Sequence, residues 1–399
     1  MVALNFHPEP TGSGVYNGDL AFWLAERGHR VEVVTAPPHY PGWRRHPAYR
    51  YGRWMRERVH GVEVFRCPIL LPSTPRGMRR IVFLASFAAS AAPVALARAR
   101  VLRPDWVVCV EPTLLSLPLG LAAARTARAR LWYHVDDIEL VAAATIDGMR
   151  AFAGAARGLY SALVARADVV STITETMRER LVDLGARPER CRLVPRWIEP
   201  AGFDREAGMR LREQLGVPSE HPLVLYAGGM GAKQGIEQLA PLVECVEAST
   251  VRFVFCGNGP LRRLLDERLG GDPRVRLLDP LPDAEYRALM AAADVHLLLQ
   301  RADTTVFCMP SKLSAMLATE GVIVAQAAAG SELARLLEGI AWVVEPGDVV
   351  GLATTVERAI AERAHPRDQT LEARRRLLAA WERRSVLARV EGEMVARVD

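Results

Sequence analysis

The residues best suited to handle a charged substrate are two lysines, Lys233 and Lys312, each placed where an apolar run gives way to a helical pattern. Lys312 stands in the stretch 310–312 (PSK), and Lys233 stands in the loop 228–235 (GGMGAKQG). A lysine supplies a point charge to a phosphate, and a helix N-terminus adds N–H donors and favours negative charge. Lysine is rare in this arginine-rich chain, so two such loops in one half predict a nucleotide diphosphate site. A solvated lysine at a helix start is the alternative for each loop alone.

Glycines around these lysines allow the backbone to approach an anion closely. The loop 228–235 lacks the GxxxxGK-Ser/Thr spacing of an ATP-binding P-loop. One strand later the stretch 257–260 (GNGP) repeats the pattern, and we expect Pro260 at the first position of a helix, with a simple helix start as the alternative. The residues that we predict to bind the donor are Gly228, Gly229, Lys233, Gln234, Gly257, Asn258, Gly259, Pro310, Ser311 and Lys312.

In the first half, a histidine and three carboxylates end the apolar run RLWYHV. We predict His134, Asp136 and Asp137 as catalytic residues, and Glu139 is a further candidate, because acid and base groups must lie near each other. A structural histidine is the alternative. The histidines form no HxxH or HxxxH pair and no cysteine joins them, so a metal site is not predicted.

The loop after the first strand, residues 7–14 (HPEPTGSG), carries glycines at positions 12 and 14 and leads into a helix. Its backbone could approach a ligand at the helix N-terminus. A tight turn between strand and helix is the alternative, and the glycine spacing is not that of a GxGxxG fingerprint.

Short apolar runs alternate with helical patterns along both halves, and the pattern restarts at PLVLYAGG after a segment rich in Pro, Glu and Gly at 198–222. This alternation indicates parallel sheets covered by helices on both faces, and 399 residues exceed a single core. We predict the α/β class, with two Rossmann-like, doubly wound domains facing each other across a cleft. The predicted domains are 1–200, 201–375 and a long basic C-terminal helix, 376–399, that packs back on the first domain.

A net charge of +5 suits phosphate-bearing small molecules or an anionic membrane, and no nucleic-acid-binding signature accompanies it. Six scattered cysteines without a CxxC pair are typical of reduced thiols, and the first residues do not read as a signal peptide. We therefore expect a cytoplasmic protein that does not bind nucleic acid.

The apolar run 81–97 (IVFLASFAASAAPVALA) predicts a buried or interfacial helix and not a membrane span, because it is rich in small residues and contains Pro93. A basic segment interleaved with Trp43, Tyr49, Tyr51 and Trp54 precedes it. Its arginines suit peripheral docking to anionic lipid, with an ordinary solvated loop as the alternative. These arginines are Arg44, Arg45, Arg50, Arg53, Arg56, Arg58, Arg76, Arg79 and Arg80.

Taken together, these stretches resemble the retaining GT-B glycosyltransferases of family 4, especially the WcaI-type branch of colanic-acid and exopolysaccharide transferases. The matching stretches run in order along nearly the whole chain, among them PEPTGSG at 8–14, VVCVEPTLL at 107–115, YHVDDIELVAA at 133–143, LYAGGMGAKQGIE at 225–237, FVFCGNGP at 253–260 and MPSKLSAMLA at 309–318.

The resemblance implies a nucleoside-diphosphate sugar as donor, retention of anomeric configuration, and no obligatory metal or other cofactor. It implies a lipid-linked saccharide as the usual acceptor, and it implies that His134 contacts the donor sugar or supports its developing charge. The residues that we assign to an acceptor or interdomain loop are Glu9, Thr11, Gly12, Ser13, Gly14 and Glu111.

This chain departs from the family pattern in three places. Two glutamates that many members carry eight positions apart fall near Phe307 and Ala315, and neither is acidic. Glu320 replaces a glycine and is expected to put a negative charge beside the donor site. Arg196 replaces an asparagine in the linker.

Three functions therefore stay open at this point. The chain could extend a polysaccharide or lipid-linked glycan, could glycosylate a small soluble natural product, or could bind a nucleotide or glycan without transfer.

Overall fold

The computed structural model describes the chain except for residues 11, 41, 74–76, 112–114, 137–149, 232–233, 302–309, 311, 363–367 and 398–399. Residues singled out above that lie outside the described part are Thr11, Arg76, Asp137, Glu139, Lys233, Phe307 and Ser311. The chain divides into two compact units. The N unit comprises Met1–Pro195 with Leu387–Asp399, and the C unit comprises Arg196–Val386.

The N unit is built on one eight-stranded sheet. Its strands are β1 (Val2–Ala3), β2 (Glu32–Thr35), β3 (Met55–Val59), β4 (Val62–Arg66), β5 (Trp106–Val110), β6 (Arg130–Val135), β7 (Val169–Thr172) and β8 (Cys191–Leu193). Its first helices are α1 (Ser13–Glu26), α2 (Gly77–Leu102), α3 (Ser116–Ala127), α4 (Arg150–Val164) and α5 (Glu175–Asp183). The strand order is β3-β4-β2-β1-β5-β6-β7-β8.

One edge of this sheet differs from the expected all-parallel arrangement. β3 pairs antiparallel with β4, whereas the other strand pairs of the sheet are parallel. Sequence reasoning missed β3 because its residues, MRERV, belong to the basic segment that suggested a loop. An edge strand tolerates charge on its open side, and Arg56 of β3 pairs with Glu63 of β4 at 2.8 Å.

The C unit is built on a six-stranded parallel sheet. Its strands are β9 (Leu223–Ala227), β10 (Arg252–Cys256), β11 (Val275–Leu278), β12 (Val295–Leu298), β13 (Val322–Gln326) and β14 (Trp342–Val344). Its helices are α6 (Arg205–Gln214), α7 (Leu239–Cys245), α8 (Arg262–Leu269), α9 (Asp283–Ala292), α10 (Lys312–Leu317), α11 (Glu332–Leu336), α12 (Val349–Glu362) and α13 (Asp368–Trp381). The strand order is β11-β10-β9-β12-β13-β14.

Alternate residues of β9 enter two separate cores, which shows that helices cover both faces of the C-unit sheet. Val224 and Tyr226 belong to one apolar cluster, and Leu223, Leu225 and Ala227 belong to the other. Successive strand residues point to opposite faces, so a continuous apolar run is what a doubly covered strand requires. The predicted α/β class with two Rossmann-like domains is confirmed.

Each sheet has a point where the strand order reverses direction. In the N unit this point lies between β1 and β5, and in the C unit it lies between β9 and β12. The loops that leave neighbouring strands in opposite directions open a crevice at the carboxyl ends of the strands, and ligands of such sheets bind there. Gly12 lies in the loop after β1, Glu111 follows β5 and Gly228 follows β9. His134 lies near the end of β6, the strand next to β5.

The C-terminal segment is two helices and not one long helix, which corrects the sequence prediction. α13 ends at Trp381 and α14 (Arg383–Ala396) begins after Glu382. The backbone of Ile198 interrupts the helix: its N–H donates to the Trp381 carbonyl at 3.0 Å, and its carbonyl accepts from Arg383 N–H at 2.8 Å. These bonds take groups that a continuous helix would use itself.

A buried arginine of α13 holds the end of the short helix α10. Arg374 is 6% exposed and donates to the carbonyls of Leu317 at 3.3 Å and Gly321 at 2.9 Å, and to that of Met316. Met316 and Leu317 form the last turn of α10, where carbonyls lack a donor within the helix, and Gly321 directly precedes β13. Arg374 therefore fixes the position of the helix whose first residue is Lys312.

We expect Arg374→Met to lower the free energy of unfolding by about 2–4 kcal/mol, because the three carbonyls would lose a buried charged donor. Arg376→Met is the matched control on the same helix. Arg376 is exposed and, among the described residues, pairs with Glu372 at 2.9 Å, so its loss should cost less than about 1 kcal/mol. Chemical denaturation of both variants measures the difference, and equal effects would contradict the capping role of Arg374.

Candidate functional site

In the C unit, the segment that follows β12 and the loop that follows β9 meet at the point of strand-order reversal. Lys312 begins α10, and its Nζ lies 3.1 Å from the position that a Cβ atom on Gly228 would occupy. The glycine therefore leaves room for the lysine side chain. The chain contains two lysines. Lys312 lies beside the glycine loop 228–235, and Lys233 belongs to that loop by sequence.

The ammonium group of Lys312 rests on a buried tyrosine. Its Nζ lies 4.1 Å from the ring centroid of Tyr226 and donates to Tyr226 Oη at 3.0 Å. Burial lowers the pKa of Lys312 to about 7. A cation held over an aromatic face with its hydration reduced is ready to gain from an incoming anion.

Tyr226 also fixes the glycine loop, because its hydroxyl donates to the Gly229 carbonyl at 2.7 Å. One side chain thereby orients both the lysine ammonium and the backbone of residues 228–229. Sequence reasoning missed Tyr226. It reads as an ordinary apolar-run residue, and only the tertiary structure shows that its hydroxyl reaches the loop.

The predicted donor residues at 257–259 contact the loop that follows β9. Gly228 N–H donates to the Cys256 carbonyl at 2.9 Å, and Met230 N–H donates to the Asn258 carbonyl at 2.9 Å. A Cβ on Gly257 would lie 1.9 Å from the Gly228 carbonyl oxygen. The glycine at 257 is therefore required for the contact between the two loops, which holds residues 228–230 in place.

Pro260 is not the first residue of a helix, which corrects the expectation from sequence. α8 begins at Arg262, with Leu261 as its N-cap. Leu261 N–H donates to the Met230 carbonyl at 3.0 Å, so the loop contact draws this residue out of the helix. Gln234 N–H donates to the Gly231 carbonyl at 3.2 Å, and Pro310 accepts from Leu313 N–H at 3.0 Å.

In the N unit, His134 and Asp136 lie together at the carboxyl end of β6. His134 Nε2 is 2.9 Å from Asp136 Oδ1, and Ser13 Oγ donates to Asp136 Oδ2 at 2.5 Å. The structure thus joins two groups of sequence candidates that are far apart in the chain. Gly12 N-caps α1 with φ +70°, a conformation that favours glycine, and Ser13 and Gly14 start the helix.

Ser171 and Trp132 extend this chain of hydrogen bonds on the other side of the imidazole. His134 Nδ1 is 2.8 Å from Ser171 Oγ, and Trp132 Nε1 donates to Ser171 Oγ at 2.7 Å. The Trp132 bond directs the Ser171 hydroxyl proton toward Nδ1, which leaves Nε2–H to face the Asp136 carboxylate. Sequence reasoning missed both residues, because a serine within a β-strand carries no motif.

Two other candidates of the N unit are buried inside it. The Glu9 carboxylate accepts from Asn5 Nδ2 at 2.8 Å and from the backbone N–H groups of His39 and Tyr40, both at 3.0 Å. Glu111 is fully buried and accepts from Tyr133 Oη at 2.5 Å. Burial and the Glu111 charge raise the pKa of Tyr133. These two carboxylates hold the neighbouring backbone and side chains in place and are not exposed to solvent.

Glu320 does not lie beside Lys312, which corrects the expectation of a negative charge at the donor site. It follows the C-terminal end of α10, whereas Lys312 is at the N-terminal end. Its carboxylate is 76% exposed and pairs with Arg205 at 3.3 Å. Ala315, where the family pattern has a glutamate, is buried in the apolar core.

A cavity of about 460 Å³ occurs elsewhere in the N unit and is not part of this site. Its walls include Val2, Glu32 and Trp106, which begin strands β1, β2 and β5. It therefore lies at the amino ends of the strands, opposite the edge that carries His134. Within the described ranges, no group of three or more His, Cys, Asp and Glu side chains could hold a metal ion.

Comparison with known proteins shows the family to which the chain belongs. Residues 11–197 match the family described as Glycosyl transferase 4-like domain. The chain is 33% identical over 381 residues to WcaI of Escherichia coli (strain K12), a glycosyl transferase assigned to colanic acid biosynthesis, covering 90% of this chain and 91% of WcaI. The chain belongs to the family 4 glycosyltransferases.

Solved structures show the same fold at low sequence identity. Sucrose-phosphate synthase from Thermosynechococcus elongatus has a TM-score of 0.75 at 18% identity, covering 100% of this chain and 98% of its own. HepE of Anabaena, solved in complex with UDP-glucose, has a TM-score of 0.68 at 17% identity and 99% coverage of each chain. The GT-B fold predicted for this family 4 glycosyltransferase is thereby confirmed.

We expect Ser171→Ala to slow turnover of a nucleotide-sugar donor about tenfold or more, because the His134 ring would lose the partner that fixes its tautomer. The kcat should fall more than KM rises. Thr172→Val is the matched control, since Thr172 is the adjacent buried residue on the opposite face and donates to the Val135 carbonyl at 2.8 Å. Steady-state kinetics that change equally in both variants would show a purely structural role for Ser171.

Proposed function

We propose that this chain transfers a sugar from a nucleoside-diphosphate sugar to an acceptor hydroxyl, with retention of anomeric configuration and without an obligatory metal, in the synthesis of a polysaccharide or lipid-linked glycan. The family membership supports transfer of a sugar. The WcaI relative, assigned to colanic acid biosynthesis, supports a polysaccharide or lipid-linked product, and HepE, solved with UDP-glucose, supports a UDP-sugar as the first donor to test.

The observation that carries this proposal is the position of the Lys312 ammonium. It lies at the reversal point of the C-unit sheet, against Tyr226 and beside Gly228. Burial lowers its pKa to about 7, so keeping the ammonium charged there costs free energy that a bound anion would offset. A diphosphate is the anion that fits a donor of this family.

In the proposed reaction the bond between the anomeric carbon and the β-phosphate oxygen breaks, and a bond from the acceptor oxygen to that carbon forms. The acceptor hydroxyl proton passes to the departing diphosphate, so atoms and charge balance. Lys312 would stabilise the negative charge that develops on the diphosphate, which lowers the barrier only to the extent that the interaction strengthens in the transition state.

We assign the hydrogen-bonded residues His134, Asp136 and Ser13 of the N unit a role in binding and orienting sugar hydroxyls. Asp136 is held by His134 on one side and by Ser13 on the other, so its orientation is set before a ligand arrives. A preoriented carboxylate can accept a hydrogen bond from a hydroxyl without a reorganisation cost. Asp137 and Glu139 remain candidates for the same role by their place in the sequence.

The proposed acceptor, a lipid-linked saccharide, would place the reaction at the cytoplasmic face of a membrane, in peripheral contact with anionic lipid. The contacts around Tyr226 support the proposed donor-binding role of Gly228, Gly229 and Lys312. We propose the same role from the sequence for Lys233, Gln234, Gly257, Asn258, Gly259, Pro310 and Ser311. The rest of the acceptor-loop assignment also remains a proposal.

We expect the affinity for UDP-glucose to fall as pH rises through about 7, because only the protonated form of Lys312 attracts the diphosphate. A UDP-sugar has no titrating phosphate near neutrality, so its own charge stays constant. Between pH 6.5 and 8.5 the Kd should rise roughly tenfold to thirtyfold, as expected when a pKa near 7 rises well above 8.5 in the complex. Isothermal titration calorimetry at several pH values measures this change and the accompanying proton uptake.

Two variants of Lys312 serve as controls. Lys312→Met should bind UDP-glucose weakly with a flat pH profile, and Lys312→Arg, charged throughout, should also show a flat profile. The wild-type free energy of unfolding should rise from pH 7 to 10.5, where the unfolded lysine binds more protons than the buried one, and this rise should be absent in Lys312→Met. At pH 7 Lys312→Met should therefore be no less stable than wild type. A pH-dependent affinity that survives in Lys312→Met would contradict the proposal.

A further inference from the structure

Helix α2 has one face in the core of the N unit and another face that is apolar yet exposed. Its buried residues recur at every fourth position and pack against β1, β2 and their neighbours. They are Phe83, Phe87, Ala91, Ala95 and Ala99. Among the described residues α2 is the one helix long and apolar enough to cross a membrane by length and composition, a test that core helices also pass. Because these buried residues pack in the core, α2 lies along the surface of the N unit.

The exposed face of α2 lacks the charged residues that a helix in contact with water normally carries. At 100° per residue, its exposed apolar side chains within residues 78–97 fall within about 100° of arc. They are Met78, Val82, Ala89, Pro93 and Ala97. Met78 is 68% exposed and Val82 is 50% exposed. No charged residue occurs from 81 to 97, whereas Arg79 and Arg100 stand at the two ends of the face.

Two further exposed apolar residues lie against the same helix. Trp54 is 58% exposed, and its Nε1 donates to the Ser90 carbonyl at 3.0 Å. Leu70 is 65% exposed, and its backbone N–H donates to Ser86 Oγ at 2.9 Å. These contacts widen the exposed face of α2 into an apolar surface, which we call the α2 surface. It consists of Trp54, Leu70, Met78, Val82, Ala89, Pro93 and Ala97.

The segment that contains the α2 surface has a large excess of positive over negative charge. Residues 36–104 contain thirteen arginines, two glutamates and no other charged residue apart from histidine, a net charge of +11. Since the whole chain carries +5, the remainder carries −6. Arg53 is exposed directly beside Trp54, and Arg79 is exposed beside Met78.

We propose that the α2 surface is the face by which this protein lies on an anionic membrane, with α2 in the plane of the interface. Apolar side chains enter the boundary between headgroups and acyl chains, and the surrounding arginines attract acidic headgroups. The inference rests on the peripheral membrane contact within the proposed function, but not on the sugar chemistry, and it specifies the surface and the lipid class.

The chemistry of the surface favours lipid over a protein partner. Protein interfaces depend on large anchoring side chains in pockets, whereas Ala89, Pro93 and Ala97 are small and form a shallow face. Trp54 combines an apolar ring with a satisfied N–H, which suits the edge of a bilayer. A charge of +11 on one segment also matches a surface that is negative everywhere, and not a partner of mixed charge.

The test is sedimentation of the full chain with vesicles of phosphatidylcholine, with and without phosphatidylglycerol. We expect binding to the anionic vesicles, with weaker binding at high salt. Val82→Glu combined with Ala89→Glu, and separately Arg53→Glu combined with Arg79→Glu, should each reduce partitioning about tenfold or more. Quenching of tryptophan fluorescence by brominated lipid should occur in wild type and disappear in Trp54→Phe.

Val350→Glu and Arg375→Glu are matched controls on the C unit, where Val350 is 70% exposed and Arg375 is exposed. They should bind vesicles as wild type does. Equal binding by the α2 variants, or a monomer–dimer equilibrium abolished by Val82→Glu together with no vesicle binding, would overturn the proposal. The UDP-glucose-induced thermal shift of wild type, measured without vesicles, reports separately on the transferase function.

Discussion

The structure depends on one costly interaction, the placement of the Lys312 ammonium over the ring of Tyr226 at the reversal point of the C-unit sheet. Burial lowers its pKa to about 7, so keeping the ammonium charged at this position costs free energy. The neighbouring elements serve to hold it. Arg374 caps the far end of α10, and Gly228 leaves space for the lysine chain. The contact between the two glycine loops fixes the backbone around it.

The N unit uses a different device, a chain of hydrogen bonds from Trp132 through Ser171, His134 and Asp136 to Ser13. Here the polar groups are hydrogen-bonded to one another, which fixes the orientation of the side chains. The C unit thus provides a cation suited to an anionic ligand, and the N unit provides an oriented imidazole–carboxylate pair. In the proposed reaction, the cation would suit the departing diphosphate and the carboxylate would suit the sugar hydroxyls.

Sequence reasoning was strong where apolar periodicity governs structure and weak where single tertiary contacts do. The apolar runs predicted β1, β2, β4–β7 and β9–β14, and the expectation that Lys312 and the Gly228 loop share a site agrees with their contact. Sequence reasoning missed the charged edge strand β3, because an edge strand needs no apolar pattern. The helix break at Glu382, the start of α8 after Pro260, and the role of Ser171 each follow from a hydrogen bond to a residue distant in sequence. No local pattern encodes such bonds.

The most direct measurement uses the fact that the chain contains only two lysines. With lysine labelled isotopically at the side-chain carbon next to Nζ, the NMR spectrum should contain two lysine signals, and Lys312→Met assigns them. The account predicts that the Lys312 signal titrates with a pKa of about 7 in the free protein and that saturating UDP-glucose raises this pKa markedly. A Lys312 pKa near about 10.4, the ordinary lysine value, that UDP-glucose leaves unchanged would contradict it.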